Sequence, residues 1–407
     1  MSANNPRLRA ALIAATLAAP LLAGCRHEPA PPNPSDPVLH CPALPDAPFA
    51  VAVGARANAA VPQLTGALDN RLQDAAHNGQ RVTFVRVDGR PEQAYTDTYR
   101  VTSVSSGGKN QDWNDFYSRL QTAFSATTKA ARPEADLLGA LAVAGRATGG
   151  APGATARGTV VVADSGLQTV APLRFQDDGG SLLLADPADV VAGLKKAELL
   201  PDLTGRTVVF TGLGNTADPQ PALDARLHRR LIAIWTAIVN ASGAGCIDVL
   251  DEPAYPKSVR GTLPAVAVVP LPAPPTPPKP CGETVLGEAN DVGFVAESDQ
   301  FRDPEAARAT IGTVAATMRA GRQTAELIGT TANVGDLSGQ VRLSAKRAVA
   351  VARVLSENGI GADRIHSTGQ GSRFDGYVTD HGPSGELLPG PAARNRKVIV
   401  RLSCPAT

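Results

Sequence analysis

Aromatic residues make up only 4% of this 407-residue chain, so its cores must be built largely from Ala, Val, Leu and Ile. Charge of one sign is also lacking: 39 basic residues face 38 acidic ones, a net charge of +1. A nucleic-acid surface needs a basic excess, which excludes that class of partner. The uncharged run from Ala10 to Ala23 is shorter than the ~20 residues of a membrane-spanning helix. The five cysteines form no CxxC, and the histidines (27, 40, 77, 228, 366 and 381) have no ligand spacing, so no metal or cofactor is expected. What is abundant is Gly (39) and Pro (34), clustered in a way that suggests linkers. The length exceeds what one core usually organises, and two domains are the first expectation.

At the N-terminus Arg7 and Arg9 precede the apolar run, and Leu22-Ala23-Gly24-Cys25 closes it. Basic, apolar and small-residue–cysteine features in this order resemble a bacterial lipoprotein signal. The resemblance implies that the signal peptide 1–24 is removed and that Cys25 carries a diacylglyceryl thioether, with a fatty acid such as palmitate on the new amine. The protein would then be exported and membrane-anchored in the cell envelope, at the outer membrane if the organism has one. An ordinary secretory signal with a chance cysteine is the alternative. Residues 25–46 are Pro-rich, and roughly 20 semi-extended residues reach about 60 Å, a tether.

With Cys25 lipidated, Cys41, Cys246, Cys281 and Cys404 remain, and four cysteines allow three pairings. Export permits disulfides. Domain logic favours Cys41–Cys246 and Cys281–Cys404, each pair bracketing one domain.

Prolines at 270, 272, 274, 275, 277, 278 and 280 forbid helix and sheet interior alike. Residues 256–280 therefore read as a stiff linker between domains at 47–255 and 281–407. In the first, Phe49–Val53, Val82–Val87, Thr159–Ala163, Thr207–Thr211 and Cys246–Leu250 read as strands. Helical patterns follow Leu64, Trp113, Leu137 and Pro221. This alternation predicts an α/β domain with a doubly wound, mostly parallel sheet.

Asp136-Leu137-Leu138-Gly139, Val161-Val162-Ala163-Asp164-Ser165-Gly166 and Val209-Phe210-Thr211-Gly212-Leu213-Gly214 resemble, in order, loops of a von Willebrand A-type domain. The resemblance implies a divalent-metal site, but this chain departs from it. The family's D-x-S-x-S falls on Gly54, Arg56 and Asn58, and its loop threonine on Ala135. A hard cation needs several oxygen ligands, so the expectation is a metal-free, degenerate domain with an arginine among the lost ligands. Gly212-Leu213-Gly214-Asn215-Thr216-Ala217 also matches a dinucleotide fingerprint, yet Pro219 and Pro221 stand where its helix should open, which favours a turn. Ser165 lies outside any G-x-S-x-G.

In the second domain Val292–Val295, Ala325–Gly329, Arg364–Ser367 and Val398–Leu402 read as strands. A helix begins at Asp303-Pro304 and another spans Ser344–Glu357, with Gly359 as its stop. This βαβαβ–loop–β order carries Gly329-Thr330-Thr331, Leu343-Ser344-Ala345-Lys346-Arg347-Ala348, Gly369-Gln370-Gly371 and Asn395-Arg396-Lys397-Val398. Together these resemble the OmpA-like peptidoglycan-binding domain. The resemblance implies a diaminopimelate-containing stem peptide as ligand, whose ammonium and carboxylate need an acid and an arginine at fixed separation. The arginine falls on Arg347, but the aspartate falls on Ala332. Thr331, Gln340 and Asn333 are the other candidate contacts, with Asn333 or Asp336 as substitute acceptor. The competing reading pairs Arg347 with a local carboxylate.

The expected protein is thus an envelope lipoprotein that binds peptidoglycan and is not an enzyme. A protein-binding scaffold with weakened wall affinity and an envelope hydrolase seated in the first domain are the rivals. The partner of the first domain is open.

Overall fold

The structure is a computed structural model that describes residues 39–62, 64, 66–149, 158–250 and 261–404. Cys25, the signal segment and most of the tether lie outside the described residues.

The first layer system contains β1 (Phe49–Val53), α1 (Gly66–His77), β2 (Arg81–Arg86), β3 (Glu92–Thr98), α2 (Ser106–Thr128), α3 (Leu137–Ala147), β4 (Thr159–Ala163), α4 (Pro187–Lys196), β5 (Thr207–Thr211), α5 (Ala225–Ala241) and β6 (Cys246–Leu250). The strands lie in the order β3-β2-β1-β4-β5-β6, parallel except for β3 at the edge. Every residue of β1, β4 and β5 is buried, as continuous apolar strands covered on both faces must be. Ala50, Val160, Val208 and Phe210 meet α3, α4 and α5 on one face. Phe49, Val51, Val161 and Val209 meet α1 and α2 on the other. The sheet is doubly wound, and strand order reverses between β1 and β4, the position at which open α/β sheets place their ligand crevice.

The second system contains β7 (Gly282–Gly287), α6 (Pro304–Gly321), β8 (Ala325–Gly329), α7 (Leu337–Glu357), β9 (Ile365–Gly369), α8 (Pro389–Asn395) and β10 (Lys397–Leu402). Its sheet has the order β7-β10-β8-β9, with β10 antiparallel to both neighbours and β8 parallel to β9. Ile311, Val314 and Met318 of α6 and Val351 and Leu355 of α7 fill the core beneath it. Disulfides join Cys41 to Cys246 and Cys281 to Cys404.

Several sequence expectations shift. The strand expected at Val292–Val295 is absent; the strand is β7, a few residues earlier. Val292 and Phe294 are apolar because they fill the core from a loop. Helix α7 starts at Leu337, not Ser344, because the Asp336 carboxylate accepts from the Gly339 N–H at 2.8 Å and caps it. Helix α5 starts at Ala225 rather than Pro221, capped by Asp224. Segment 263–280 forms no helix or strand, as its prolines require, but it is not free: Val269 is fully buried and exchanges hydrogen bonds with the Gln220 amide at 2.8 and 2.9 Å.

Candidate functional site

Two buried arginines, Arg56 and Arg347, stand where the two sequence resemblances lead one to look for a ligand site. The first lies where strand order reverses between β1 and β4. Arg56, in the loop after β1, donates to Asp164, at the end of β4, from Nη1 at 2.6 Å and from Nη2 at 3.1 Å. Nη2 also reaches Ser165 Oγ at 3.2 Å, and both Arg56 and Asp164 are buried. Gly54 makes room for this return: a Cβ there would lie 2.7 Å from Arg56 Nη1. The guanidinium therefore occupies both carboxylate oxygens of Asp164. The other loop acid, Asp136, caps α3 through the Gly139 N–H at 2.8 Å, and burial raises its pKa. This donor set does not fit a divalent cation, and no cluster of three metal-ligating side chains occurs among the described residues. Gly212 and Gly214 form a turn with positive φ ahead of the helix, not the opening of one. Ser165 is engaged by Arg56 rather than by a histidine.

The second arginine sits on α7. Arg347 is 1% exposed, yet no carboxylate pairs with it among the described residues. Its Nε donates to the Ser298 carbonyl at 2.9 Å and Nη2 to the Val295 carbonyl at 3.4 Å, while the Phe294 ring lies 5.1 Å beneath. Burial, then repulsion from Arg396, pushes the guanidinium pKa down to about 10. It lines a cleft of about 280 Å³ together with Thr331, Ala332, Gln340, Asp336 and Glu297. Thr331 Oγ1 is buried without a hydrogen-bond partner. A buried hydroxyl left unpaired costs roughly 1–3 kcal/mol, so this atom favours a polar ligand.

Gln340 is held in place rather than free: its Nε2 donates to Asn333 Oδ1 and to the Gly335 carbonyl, both at 3.1 Å. Asn333 stands behind Gln340 rather than lining the cleft, and its backbone N–H donates to Asp380 at 2.9 Å. Asp380 is fully buried. Burial alone would raise its pKa, but hydrogen bonds from Tyr377, Asn333, Asn395 and His381 outweigh it and hold the carboxyl below the ordinary range. Of the two substitute acceptors, Asp336 lines the cleft and Asn333 does not. Glu297 and Arg396 also line it and were not among the expected site residues. Glu297 lies in a loop without regular spacing, and Arg396 was legible only as part of a closing strand motif.

Residues 294–384 match the OmpA family. No curated protein matches the chain. Among solved structures, the peptidoglycan-associated lipoprotein from Burkholderia pseudomallei is 20% identical, covers 29% of this chain and 89% of its own, and has a TM-score of 0.24. The cell wall anchor of the T6SS from Pseudomonas aeruginosa is 22% identical over 31% of this chain and 83% of its own, with a TM-score of 0.24. The OmpA-like domain of FopA1 from Francisella tularensis is 16% identical over 30% and 73%, with a TM-score of 0.23.

Proposed function

We propose that this chain is a cell-envelope protein that holds peptidoglycan non-covalently in the α7 cleft, with Arg347 gripping a carboxylate of the diaminopimelate-containing stem peptide. One observation carries the reading. Within the segment that matches the OmpA family, a buried guanidinium without a carboxylate partner shares a cleft with the unpaired hydroxyl of Thr331. A carboxylate placed there would form charge-assisted hydrogen bonds, which are about twice as strong as neutral ones. Because Ala332 leaves no acid at the family's position, Asp336 and Glu297 serve the ligand's ammonium.

The remaining parts follow from the sequence. Cys25 anchors the chain to a membrane through lipid, and the Pro-rich tether lifts the folded part off that surface. The first sheet is a von Willebrand A-like domain that has exchanged its metal for Arg56. Its strand order, its edge strand β3 and the positions of Arg56, Asp136 and Asp164 support this. It acts as a binding domain for an envelope partner, not as a hydrolase, since its Ser165 hydroxyl accepts from Arg56. Co-sedimentation of the full chain with purified sacculi tests the reading. Retention that disappears in Arg347→Ala while the protein stays folded supports it; equal retention of both proteins contradicts it.

A further inference from the structure

The seam between the two sheets reaches into the cleft. Arg396, which lines the cleft, forms an ion pair with Asp189 of α4, in the first sheet system. Two further arginines cross the same seam. Arg302 donates to Asp186, the cap of α4, at 2.8 and 3.2 Å and to Glu288 at 3.2 Å. Arg230 of α5 reaches Glu288 Oε2 at 2.7 Å in the opposite direction. Apolar packing accompanies them: Ala393 of α8 belongs to the first sheet's core, and Gly390 lies so close to Ser181 that a Cβ would collide with it.

We infer that Asp189 is a specificity-determining positioning residue for the wall cleft: by neutralising Arg396 from the first domain, it leaves Arg347, among the described residues, as the one buried cation of the cleft without a bonded carboxylate. This rests on the function proposed above. The geometry makes the first domain part of the site's electrostatics. While α4 is docked, the cleft offers one guanidinium deep inside, matched to one carboxylate. The cleft's rim already carries the exposed Arg342 and Lys346; when Asp189 loses its charge, Arg396 adds a further, buried cation beside Arg347, and the site favours ligands carrying more negative charge. Linkage makes the effect reciprocal: a ligand that draws Arg396 to itself weakens the α4 seam by the same factor.

The test is calorimetric titration of meso-diaminopimelate into the full chain, comparing wild type with Asp189→Asn, Asp186→Asn, Arg347→Ala and the double variant Asp189→Asn/Arg396→Ala. Asp189→Asn should tighten binding by about threefold to tenfold, the range for a partly screened charge a few ångströms from the ligand. It should also steepen the salt dependence. Asp186→Asn loosens the same seam without freeing a cleft arginine and should leave affinity near wild type. The double variant should lose the gain. If Arg347→Ala abolishes binding while Asp189→Asn changes nothing, or if Asp186→Asn tightens binding as much, the inference fails and the cleft reading stands. If Arg347→Ala binds like wild type, the cleft reading itself fails.

Discussion

Arg56 and Arg347 are equally buried, at 1% exposed, yet only the first is bonded to a carboxylate among the described residues. Arg56 meets a carboxylate through two hydrogen bonds, a serine hydroxyl through a third and the Val87 carbonyl through a fourth. Arg347 meets two carbonyl oxygens and the face of a phenyl ring. A buried charge is tolerated only when it is paired and hydrogen-bonded. The first arginine finds its countercharge within the chain, although its Nε has no hydrogen-bond partner, and it fills the position where an open α/β sheet usually binds its ligand. The second has no carboxylate bonded to it among the described residues and keeps a cleft beside it. Burial of an arginine therefore says little about function until its partner is named.

The largest effect that would break this comparison concerns Arg56. Arg56→Ala should destabilise the protein by about 3–5 kcal/mol, because it strands the buried Asp164 carboxylate. Arg347→Ala leaves no stranded acid and should lower the melting temperature distinctly less. Equal losses in thermal melts would mean that both arginines are structural. Next in size, Cys41→Ser should cost about 2–5 kcal/mol, since that bond closes a loop spanning 205 residues of sequence. Melting with and without reductant checks it.

On the ligand side, Ala332→Asp should strengthen diaminopimelate binding. A charge-assisted hydrogen bond contributes roughly 1.5–3 kcal/mol, which is about tenfold to hundredfold in affinity. Weaker binding by calorimetry would place the ammonium elsewhere. Acid sensitivity sharpens the comparison from the other side. Asp186 and Asp380 are both held below the ordinary carboxylate range: burial would raise them, but Arg302 in one case and the Tyr377-led hydrogen bonds in the other prevail. A depressed folded-state pKa contributes stability that is present above the unfolded value near 3.9 and is lost as pH falls through the folded value. Stability should therefore be level near neutrality and decline below about pH 4, and Asp380→Asn should flatten that decline in urea titrations. The smallest effect expected is none: millimolar calcium or magnesium should leave the melting temperature unchanged, because Arg56 holds the oxygens a cation would need. A shift of several degrees would overturn that account, since a ligand bound only by the folded state raises its stability.

Much of this was legible in the residues. The continuous apolar runs of β1, β4 and β5 announced strands covered on both faces, and Asp303-Pro304 announced the start of α6. The resemblance to a von Willebrand A-type domain singled out Arg56 in the loop after β1, although not its pairing with Asp164. Other elements carried weaker signals. Strand β3 (EQAYTDT) is polar and lies at the sheet edge, so no apolar alternation marks it. Asp186-Pro187 opens α4 with the same cap signal as Asp303-Pro304, but the helix is only 10 residues long and buries two. Helix α8 sits in a Gly- and Pro-rich stretch and gains its place from packing on residues 177–184. The seam was not legible at all, since no local pattern tells Asp189 that Arg396 stands opposite it 207 residues later.

The most direct test of the central claim is calorimetric titration of a soluble muropeptide carrying diaminopimelate into the full chain and its Arg347→Ala variant, with circular dichroism confirming that both are folded. Saturable binding by the wild-type chain and none by the variant is the predicted result. Binding of equal strength by both would contradict it, and Arg347 would then be a packing residue like any other in α7.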